Sequence, residues 1–341
     1  MLRAVLFLLC VLPFVISSSQ VCGKRRVKRV IGGKEAVPHS WPWQVLIEKK
    51  GKAADKIGFG QHCGGTLISR QWVVTAAHCL FMSPDPSMYR IKLGAHNRSE
   101  KEAAVQTFGI DKMDINRRFL TDKGYGYDIA LIKLSRPAVL NFAVGLACLP
   151  KQDDRIPVGT TCYLTGWGKT GFTLGKAISL QQTPLPIASY KDCNAGNSWF
   201  QPVDDTSMIC AGFGGNTTIS GCNGDSGGPL ICQENSQWVL RGAVSWGDPK
   251  CRAGTTYSVF ARVSTFVNWI NDRMKERPAQ AQPNSGSCMD EHHYCSVWKA
   301  EGKCHHPYFE ERLKLNCAFS CGHCTLANIH ARSLNFIIPV Q

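Results

Sequence analysis

The stretch SGCNGDSGGPL at residues 220–230 decides how the whole chain is interpreted, because Ser226 is either a chemical nucleophile or an ordinary turn serine. A serine hydroxyl is a poor nucleophile at neutral pH, and it needs a base within hydrogen-bond reach and a group that orients this base. The glycines around Ser226 let the backbone turn its N–H groups toward a developing oxyanion. Glycine-flanked serines are also common in turns, so the stretch needs partners elsewhere in the chain.

Two other stretches supply those partners, TAAHC at 75–79 and YDIALIKL at 127–134. Together they place a histidine, an aspartate and a serine in one chain order, which is far more specific than the serine alone. With GDSGGP at 224–229 they resemble the chymotrypsin-like serine proteases, and the resemblance covers roughly residues 22–275.

The resemblance implies a role for each catalytic residue. His78 is expected to act as general base and then as general acid, Asp128 to hold its tautomer, and Ser226 to attack the scissile carbonyl. The backbone N–H groups of Gly224 and Ser226 are expected to form the oxyanion hole. An inactive relative that keeps the fold as a binding surface is the alternative. Such relatives usually lack a triad member, and none is missing in this chain.

Many short apolar or alternating segments, separated by turn residues, indicate an all-β domain between about 30 and 270. The resemblance implies a double six-stranded barrel with a C-terminal helix. STFVNWINDRMKE has helical spacing, with Phe266, Ile270 and Met274 on one face and Ser264 or Thr265 as a candidate cap. The segments that predict strands are QVLIEKK, GGTLIS, RIKLGAHN, DIALIKL, CYLTGWG, GGPLICQ and WVLRGAVSW.

Composition changes divide the chain into six parts. A basic start, a short apolar core and small residues predict a signal peptide, with a membrane anchor as the alternative. Polar residues rich in Pro, Ser, Gln and Ala predict a linker before a cysteine-dense second domain. The predicted parts are a signal peptide at 1–19, a pro-segment at 20–29, the protease domain at 30–275, the linker at 276–287, the cysteine-dense domain at 288–324 and a tail at 325–341.

Cysteine and charge usage predict a secreted, extracellular protein. The chain has 17 cysteines, of which 16 remain once Cys10 leaves with the signal peptide, and an even, high count indicates disulfides. The formal charge is +14, but only +8 from Val30 onward, so anionic surfaces attract the chain weakly. We predict no nucleic-acid module, no membrane span after the signal peptide, and no cofactor.

The sequence RVIGG at 29–33 resembles the activation site of the family. Cleavage after Arg29 would create an α-amino group on Val30, which is expected to pair with Asp225 and order the oxyanion loop. The preceding RVKR at 26–29 resembles a furin-type convertase site. A merely basic loop that any trypsin-like protease opens is the alternative.

Three residues are expected to shape the primary specificity pocket. Ser220 lies where trypsin has an acid, so cleavage after Arg or Lys is disfavoured. Gly247 leaves the entrance open, and Ser258 narrows the pocket. Together with Gly221 they resemble type-II pancreatic elastase, which implies cleavage after Leu, Met, Phe or Tyr. The substrate is expected to add as a strand along Ser245, Trp246 and Gly247.

The resemblance also implies five disulfides, so ten cysteines pair in the protease domain and six remain for the cysteine-dense domain. The pairs that it implies are Cys22–Cys148, Cys63–Cys79, Cys162–Cys232, Cys193–Cys210 and Cys222–Cys251.

No metal site is predicted. In the loop at 93–106 only Glu100 and Glu102 match acidic calcium ligands, which is a thin shell for calcium. Tyr257 ends a segment whose spacing in some relatives accompanies sodium binding, with a variable surface loop as the alternative. Asn97 and Asn216 begin N-x-S/T sequons and are candidate glycosylation sites.

The spacing C-x6-C-x8-C-x12-C-x3-C-x2-C at 288–324 resembles the ShKT domain of sea-anemone potassium-channel toxins. This resemblance implies the pairs Cys288–Cys324, Cys295–Cys317 and Cys304–Cys321, which leave no free cysteine in the secreted chain. Glu310 and Glu311 lie nearest the position of the toxins' Lys-Tyr pair, which disfavours channel block. We therefore predict an accessory module that docks an unknown partner. A toxin-like protein with the protease as carrier is the alternative. The histidines that crowd this domain leave a zinc site or a pH-sensitive surface open, and they are His292, His293, His305, His306 and His323.

Overall fold

The regular secondary structure among the described residues is mostly antiparallel β-sheet. The computed structural model describes residues 21–25, 34–53, 56–81, 83–100, 102–119, 126–169, 175–197, 201–214, 225–248, 256–275, 290, 295–300, 302–305 and 317–324. The chain divides into two units, Met1–Asn271 and Asp272–Gln341, and the first contains the sheets. Among these residues no helix has the length and apolar character that a bilayer crossing requires.

The first sheet has seven strands in the order β6-β5-β2-β3-β4-β8-β7. Only Gly109 separates β6 from β7, and these two strands lie at opposite edges of the sheet. One interrupted strand therefore pairs with both edges and closes a six-stranded barrel. The strands are β2 (Gln44–Ala53), β3 (Lys56–Leu67), β4 (Trp72–Thr75), β5 (Tyr89–Leu93), β6 (Gln106–Phe108), β7 (Ile110–Ile115) and β8 (Ala130–Leu134).

The second sheet also has seven strands, in the order β1-β10-β9-β12-β13-β14-β11. The two-residue β1 is an addition at one edge, and a bridge between Ile187 and Ala211 joins the end of β10 to β11. This bridge closes the second six-stranded barrel, so the prediction of an all-β double barrel is confirmed. The strands are β1 (Lys34–Glu35), β9 (Thr161–Gly166), β10 (Gln181–Pro186), β11 (Met208–Ala211), β12 (Pro229–Glu234), β13 (Gln237–Trp246) and β14 (Ser258–Arg262).

Buried polar bonds join the two barrels. The Thr165 hydroxyl donates to the Gln44 side-chain oxygen at 2.6 Å, and the Trp41 indole N–H donates to the Gln182 side-chain oxygen at 2.9 Å. These polar atoms are buried, so each bond avoids the free-energy cost of an unsatisfied group and fixes one barrel against the other.

The helices are short, and the predicted C-terminal one differs in detail from expectation. A 3₁₀ turn at Val263–Phe266 precedes the α-helix, which begins only at Val267, and the Thr265 hydroxyl donates to the carbonyl of Thr206 at 2.6 Å. The expectation that Ser264 or Thr265 caps the helix is therefore wrong, because both lie inside the 3₁₀ turn and a tertiary hydrogen bond uses the Thr265 hydroxyl. The helices are α1 (His78–Phe81), α2 (Tyr190–Asn197), α3 (Val267–Lys275) and α4 (Cys295–Ala300), and two other 3₁₀ turns span Pro86–Met88 and Lys303–His305.

The second unit has cysteines where the first has aliphatic side chains. Its buried cluster is Cys295, Cys304, Cys317 and Cys321, with Trp298 packed against it. A unit this small buries little apolar surface, so covalent links replace a hydrophobic core.

The disulfides match the framework that the resemblance implied wherever both cysteines are described. Cys324 is disulfide-bonded as well. Cys222, Cys251 and Cys288, which complete the two remaining expected pairs, lie outside the described residues. The observed pairs are Cys22–Cys148, Cys63–Cys79, Cys162–Cys232, Cys193–Cys210, Cys295–Cys317 and Cys304–Cys321.

Candidate active site

Strand register in the first barrel brings His78 and Asp128 together. Strand β4 ends at Thr75, strand β8 begins at Ala130, and these two residues are paired in the antiparallel ladder. His78 follows the end of β4 by three residues, and Asp128 precedes the start of β8 by two. Both side chains therefore leave the same end of the same strand pair.

Asp128 holds His78 by two hydrogen bonds. Its Oδ2 lies 2.7 Å from His78 Nδ1, and its Oδ1 accepts the His78 backbone N–H at 2.9 Å. The Asp128 carboxylate is buried and the His78 ring is partly exposed. Burial acts to lower the pKa of His78, but the charge of Asp128 and the hydrogen bond to it act the other way, and the net pKa is raised above the ordinary 6.5.

Ser245 binds the Asp128 carboxylate, a contact that the sequence did not predict. Its hydroxyl donates to Asp128 Oδ2 at 2.6 Å, so the carboxylate is bound from the second barrel as well as the first. The sequence predicted Ser245 only as a backbone contact for substrate, because nothing in SWG indicates which way the hydroxyl points.

The Ser226 loop packs tightly against the segment that leads to His78. The backbone N–H of Gly64 donates to the carbonyl of Ser226 at 2.8 Å. Gly227 has a φ of +75°, and a Cβ there would lie 2.2 Å from Thr75 Oγ1. Glycine is therefore required at 227, both for its backbone conformation and for the approach of Ser226 to the first barrel.

Asp225 is buried between two glycines of β9 and the turn after it. Its Oδ1 accepts the backbone N–H of Gly168 at 2.8 Å. A Cβ on Gly166 or Gly168 would lie within 2.3 Å of a carboxylate oxygen of Asp225. The missing side chains of GWG at 166–168 therefore create the space for Asp225, a requirement that the sequence alone did not reveal.

Two of the predicted pocket residues are neighbours. A Cβ on Gly247 would lie 3.8 Å from the Ser258 Cα, and Ser258 is buried at the start of β14. The adjacent Tyr257 is fixed through its backbone, because its N–H donates to Asn197 Oδ1 and its carbonyl accepts from Asn197 Nδ2, both at 3.0 Å.

Several predicted site residues lie outside the described residues. They include the third pocket residue, one oxyanion donor, the cleavage site and one sequon, namely Ser220, Gly224, Arg29, Val30 and Asn216. The predicted signal peptide, the tail, His292, His293, His306, Glu310 and Glu311 lie outside them too.

The two carboxylates predicted as weak calcium ligands in the loop at 93–106 accept hydrogen bonds from the loop itself. Glu102 accepts the backbone N–H groups of His96 at 3.0 Å and of Asn97 at 2.5 Å, and Glu100 accepts from Asn97 Nδ2 at 2.6 Å. Both carboxylates therefore stabilise the conformation of the loop through hydrogen bonds within it. The bond to Glu100 also engages the amide nitrogen that a glycan on Asn97 would use.

One group of described residues has metal-like spacing, Cys63, His78 and Cys79. The two cysteines are joined to each other in a disulfide, so neither offers the thiolate that metal binding needs.

Comparison with known families agrees with this geometry. A family model described as Trypsin matches residues 30–270, and a model described as ShK domain-like matches residues 287–324. The first match covers well over half of the chain and includes both barrels together with the His78, Asp128 and Ser226 stretches. The chain therefore belongs to the trypsin family of serine proteases and carries a C-terminal ShK-like domain.

Proposed function

We propose that His78, Asp128 and Ser226 are the catalytic triad of this serine endopeptidase. The observation that carries the proposal is the buried Asp128 carboxylate, which binds the Nδ1 side and the backbone N–H of His78 and so orients Nε2 away from itself. A histidine held in this way can accept the proton of a serine hydroxyl at its other nitrogen.

The proposed reaction has two halves. Ser226 Oγ attacks the scissile carbonyl while His78 takes the hydroxyl proton, and His78 then gives this proton to the leaving amine. Water hydrolyses the acyl-enzyme by the same route in reverse. The oxyanion is proposed to be held by the backbone N–H groups of Gly224 and Ser226, and the positive φ of Gly227 supports a tightly turned loop at that position.

Activation is proposed to follow cleavage after Arg29. The new ammonium of Val30 would pair with Asp225, whose carboxylate is already aligned by the backbone N–H of Gly168. A buried carboxylate gains most from a charged partner, so this pairing can drive ordering of the adjoining oxyanion loop. The activating protease is proposed to be a furin-type convertase that recognises RVKR at 26–29.

The proposed specificity is for Leu, Met, Phe and Tyr before the scissile bond. Gly247 contributes no side chain to the pocket wall, and the neighbouring Ser258 contributes a small one. With Ser220 in place of an acid, a substrate cation would enter the pocket without compensation.

Secretion and an accessory second domain complete the proposal. The disulfides of both units require an oxidising compartment, which fits an extracellular protein with a removed signal peptide at 1–19. The ShK-like domain is proposed to dock a partner.

A substrate panel tests the proposal. The purified chain would be cut after Arg29, the Val30 terminus verified by sequencing, and the activating protease removed. Cleavage after Leu, Met, Phe or Tyr that is absent in Ser226→Ala is the expected result. Cleavage mainly after Arg or Lys would contradict the pocket assignment. No cleavage by a correctly cut, folded chain would contradict the assignment of the triad.

A further inference from the structure

The side chain of Arg25 lies against the aromatic cluster of the protease domain. Its guanidinium carbon is 3.7 Å from the ring centroid of Trp41 and 5.1 Å from that of Trp238, and these two rings pack edge-on at 4.9 Å. Arg25 Nε donates to the carbonyl of Ser40 at 2.8 Å. A planar cation over a tryptophan face with an oriented N–H is a specific way to bind a guanidinium.

The environment of Arg25 is partly desolvated. Burial lowers its pKa to about 10. Its Nη2 is buried, and among the described residues no acceptor binds this nitrogen and no carboxylate pairs with the guanidinium. The ring faces of Trp41 and Trp238 therefore provide the main compensation for the water that Arg25 has lost.

The residues before Arg25 are fixed to the same surface. Cys22 is bonded to Cys148, the Gly23 N–H donates to the carbonyl of Leu146 at 2.7 Å, and the Gly23 carbonyl accepts from Trp238 N–H at 3.0 Å. Gly23 has a φ of +68°, and a Cβ there would lie 2.6 Å from Trp238 N. A covalent bond, backbone hydrogen bonds and a cation–π contact thus follow one another from 22 to 25.

We propose that the face of Trp41, bordered by Trp238 and the Ser40 carbonyl, is a guanidinium-binding site whose ligand is Arg25, and that this contact decides which bonds of KRRVKR at 24–29 an activating protease can cut. The inference rests on the proposed cleavage after Arg29. Proteases bind their substrates as extended strands with the side chain before the scissile bond in a pocket. A bound Arg25 cannot enter such a pocket, so the bond after Arg25 is protected. The contacts of Cys22, Gly23 and Arg25 also hold the backbone on both sides of Lys24 against the domain, so it cannot extend along a protease and the bond after Lys24 is protected as well.

The anchored segment ends at Arg25, and the proposed cleavage site after Arg29 lies four residues beyond it. The contact at Arg25 leaves the four residues RVKR at 26–29 to fill the subsites before the scissile bond after Arg29. Cleavage there leaves residues 20–29 attached through Cys22–Cys148 and Arg25, whereas cleavage after both Lys24 and Arg29 would leave Arg25 in a peptide with no covalent link to the domain.

Limited digestion with trypsin tests the proposal directly. The uncut chain would carry Ser226→Ala to prevent self-digestion, and initial rates at each bond would be measured by mass spectrometry and divided by those of free peptides of the same sequence. In Arg25→Gln the normalised rate after Lys24 is expected to rise roughly five- to tenfold, while the rate after Arg29 stays unchanged. Lys24→Gln, which alters the exposed neighbour, is the matched control and is expected to leave the bond after Arg25 protected.

A second measurement leaves Arg25 and its binding site unaltered, so it avoids any folding defect of Arg25→Gln. Phenylglyoxal modification of the uncut Ser226→Ala chain is expected to be at least about tenfold slower at Arg25 than at the exposed Arg117. Equal modification rates, or equal normalised cleavage after Lys24 with and without Arg25, would overturn the proposal. Neither readout uses the catalytic activity of the chain, so protection at Arg25 in an inactive protein would contradict the proposed function alone.

Discussion

The two barrels contribute to the proposed active site in different ways. The first supplies the proposed acid–base pair, His78 and Asp128, which a single strand pair positions, since Thr75 and Ala130 face each other at the ends of β4 and β8. The second supplies Ser226 before β12, Ser245 in β13 and Ser258 in β14. These three strands are consecutive neighbours in its sheet.

This difference suggests a division of roles, in which the first barrel governs proton transfer and the second governs the alignment of Ser226 and the choice of substrate. The two hydrogen bonds between His78 and Asp128 lie within the first barrel, and the second barrel adds one hydrogen bond to Asp128 from the Ser245 hydroxyl. The position of Ser226 relative to this pair depends on bonds that cross between the barrels, such as Gly64 N–H to the Ser226 carbonyl and the Ser245 hydroxyl to Asp128. Changes in the first barrel should therefore alter proton transfer, and changes in the second should alter alignment and substrate choice.

The largest expected effect is the loss of the carboxylate in the first barrel. Asp128→Asn should lower kcat by roughly 10⁴-fold, the loss typical of this triad, because the wrong tautomer of His78 is then favoured. Asp111→Asn is the matched control, since Asp111 is an exposed aspartate of the same barrel that pairs with Lys133, and it should leave kcat unchanged. A loss below tenfold in Asp128→Asn would mean that the strand pair does not position the working base.

The second effect concerns the contact between the barrels. Gly227→Ala should reduce the free energy of unfolding by roughly 2–4 kcal/mol, because the methyl group would overlap Thr75 and the φ of +75° is strained for alanine. Gly159→Ala is the control, since its φ is +84° but nothing lies within 4 Å of a Cβ. Urea unfolding of both variants separates the overlap from the backbone strain. Equal losses would show that the barrels do not meet tightly at 227.

The third effect is the loss of the second-barrel bond to Asp128. Ser245→Ala should lower kcat/KM roughly tenfold, because a buried carboxylate loses one charge-assisted hydrogen bond. Ser236→Ala, exposed at the other end of the same hairpin, serves as control. An unchanged kcat/KM in Ser245→Ala would show that the first barrel orients Asp128 unaided.

The smallest effect is a displacement of the pH profile. Because Asp128 raises the pKa of His78 above 6.5 despite burial, kcat/KM should rise with pH to a midpoint above 6.5. The contribution of His78 to stability has the opposite sign. It is fully present below the unfolded pKa and is lost as the pH rises through the raised folded pKa. Measured profiles of kcat/KM and of urea stability against pH check both signs, and a kcat/KM midpoint below 6.5 would contradict them.

The sequence predicted the elements of the fold better than their contacts. Each of the seven segments predicted as strands overlaps an observed strand, because alternating apolar residues and turn residues are local signals. The contacts of Ser245, Gly227 and Gly168 could not be predicted in this way, since each joins segments far apart in the chain. The Thr265 cap failed for the same reason, because the carbonyl of Thr206 competes for its hydroxyl.

The interruption at Gly109 bears on how the chain behaves when it is crowded. Since β6 and β7 pair with opposite edges of one sheet, a closed barrel offers no long row of free backbone groups to a second chain. Detachment of this one strand would uncover two edges at once, those of β5 and β8. Aggregation of this protein should therefore begin from a partly unfolded species in which residues 106–115 have detached from the sheet. A covalent cross-link between β7 and β8 should slow this aggregation more than added surface charge would.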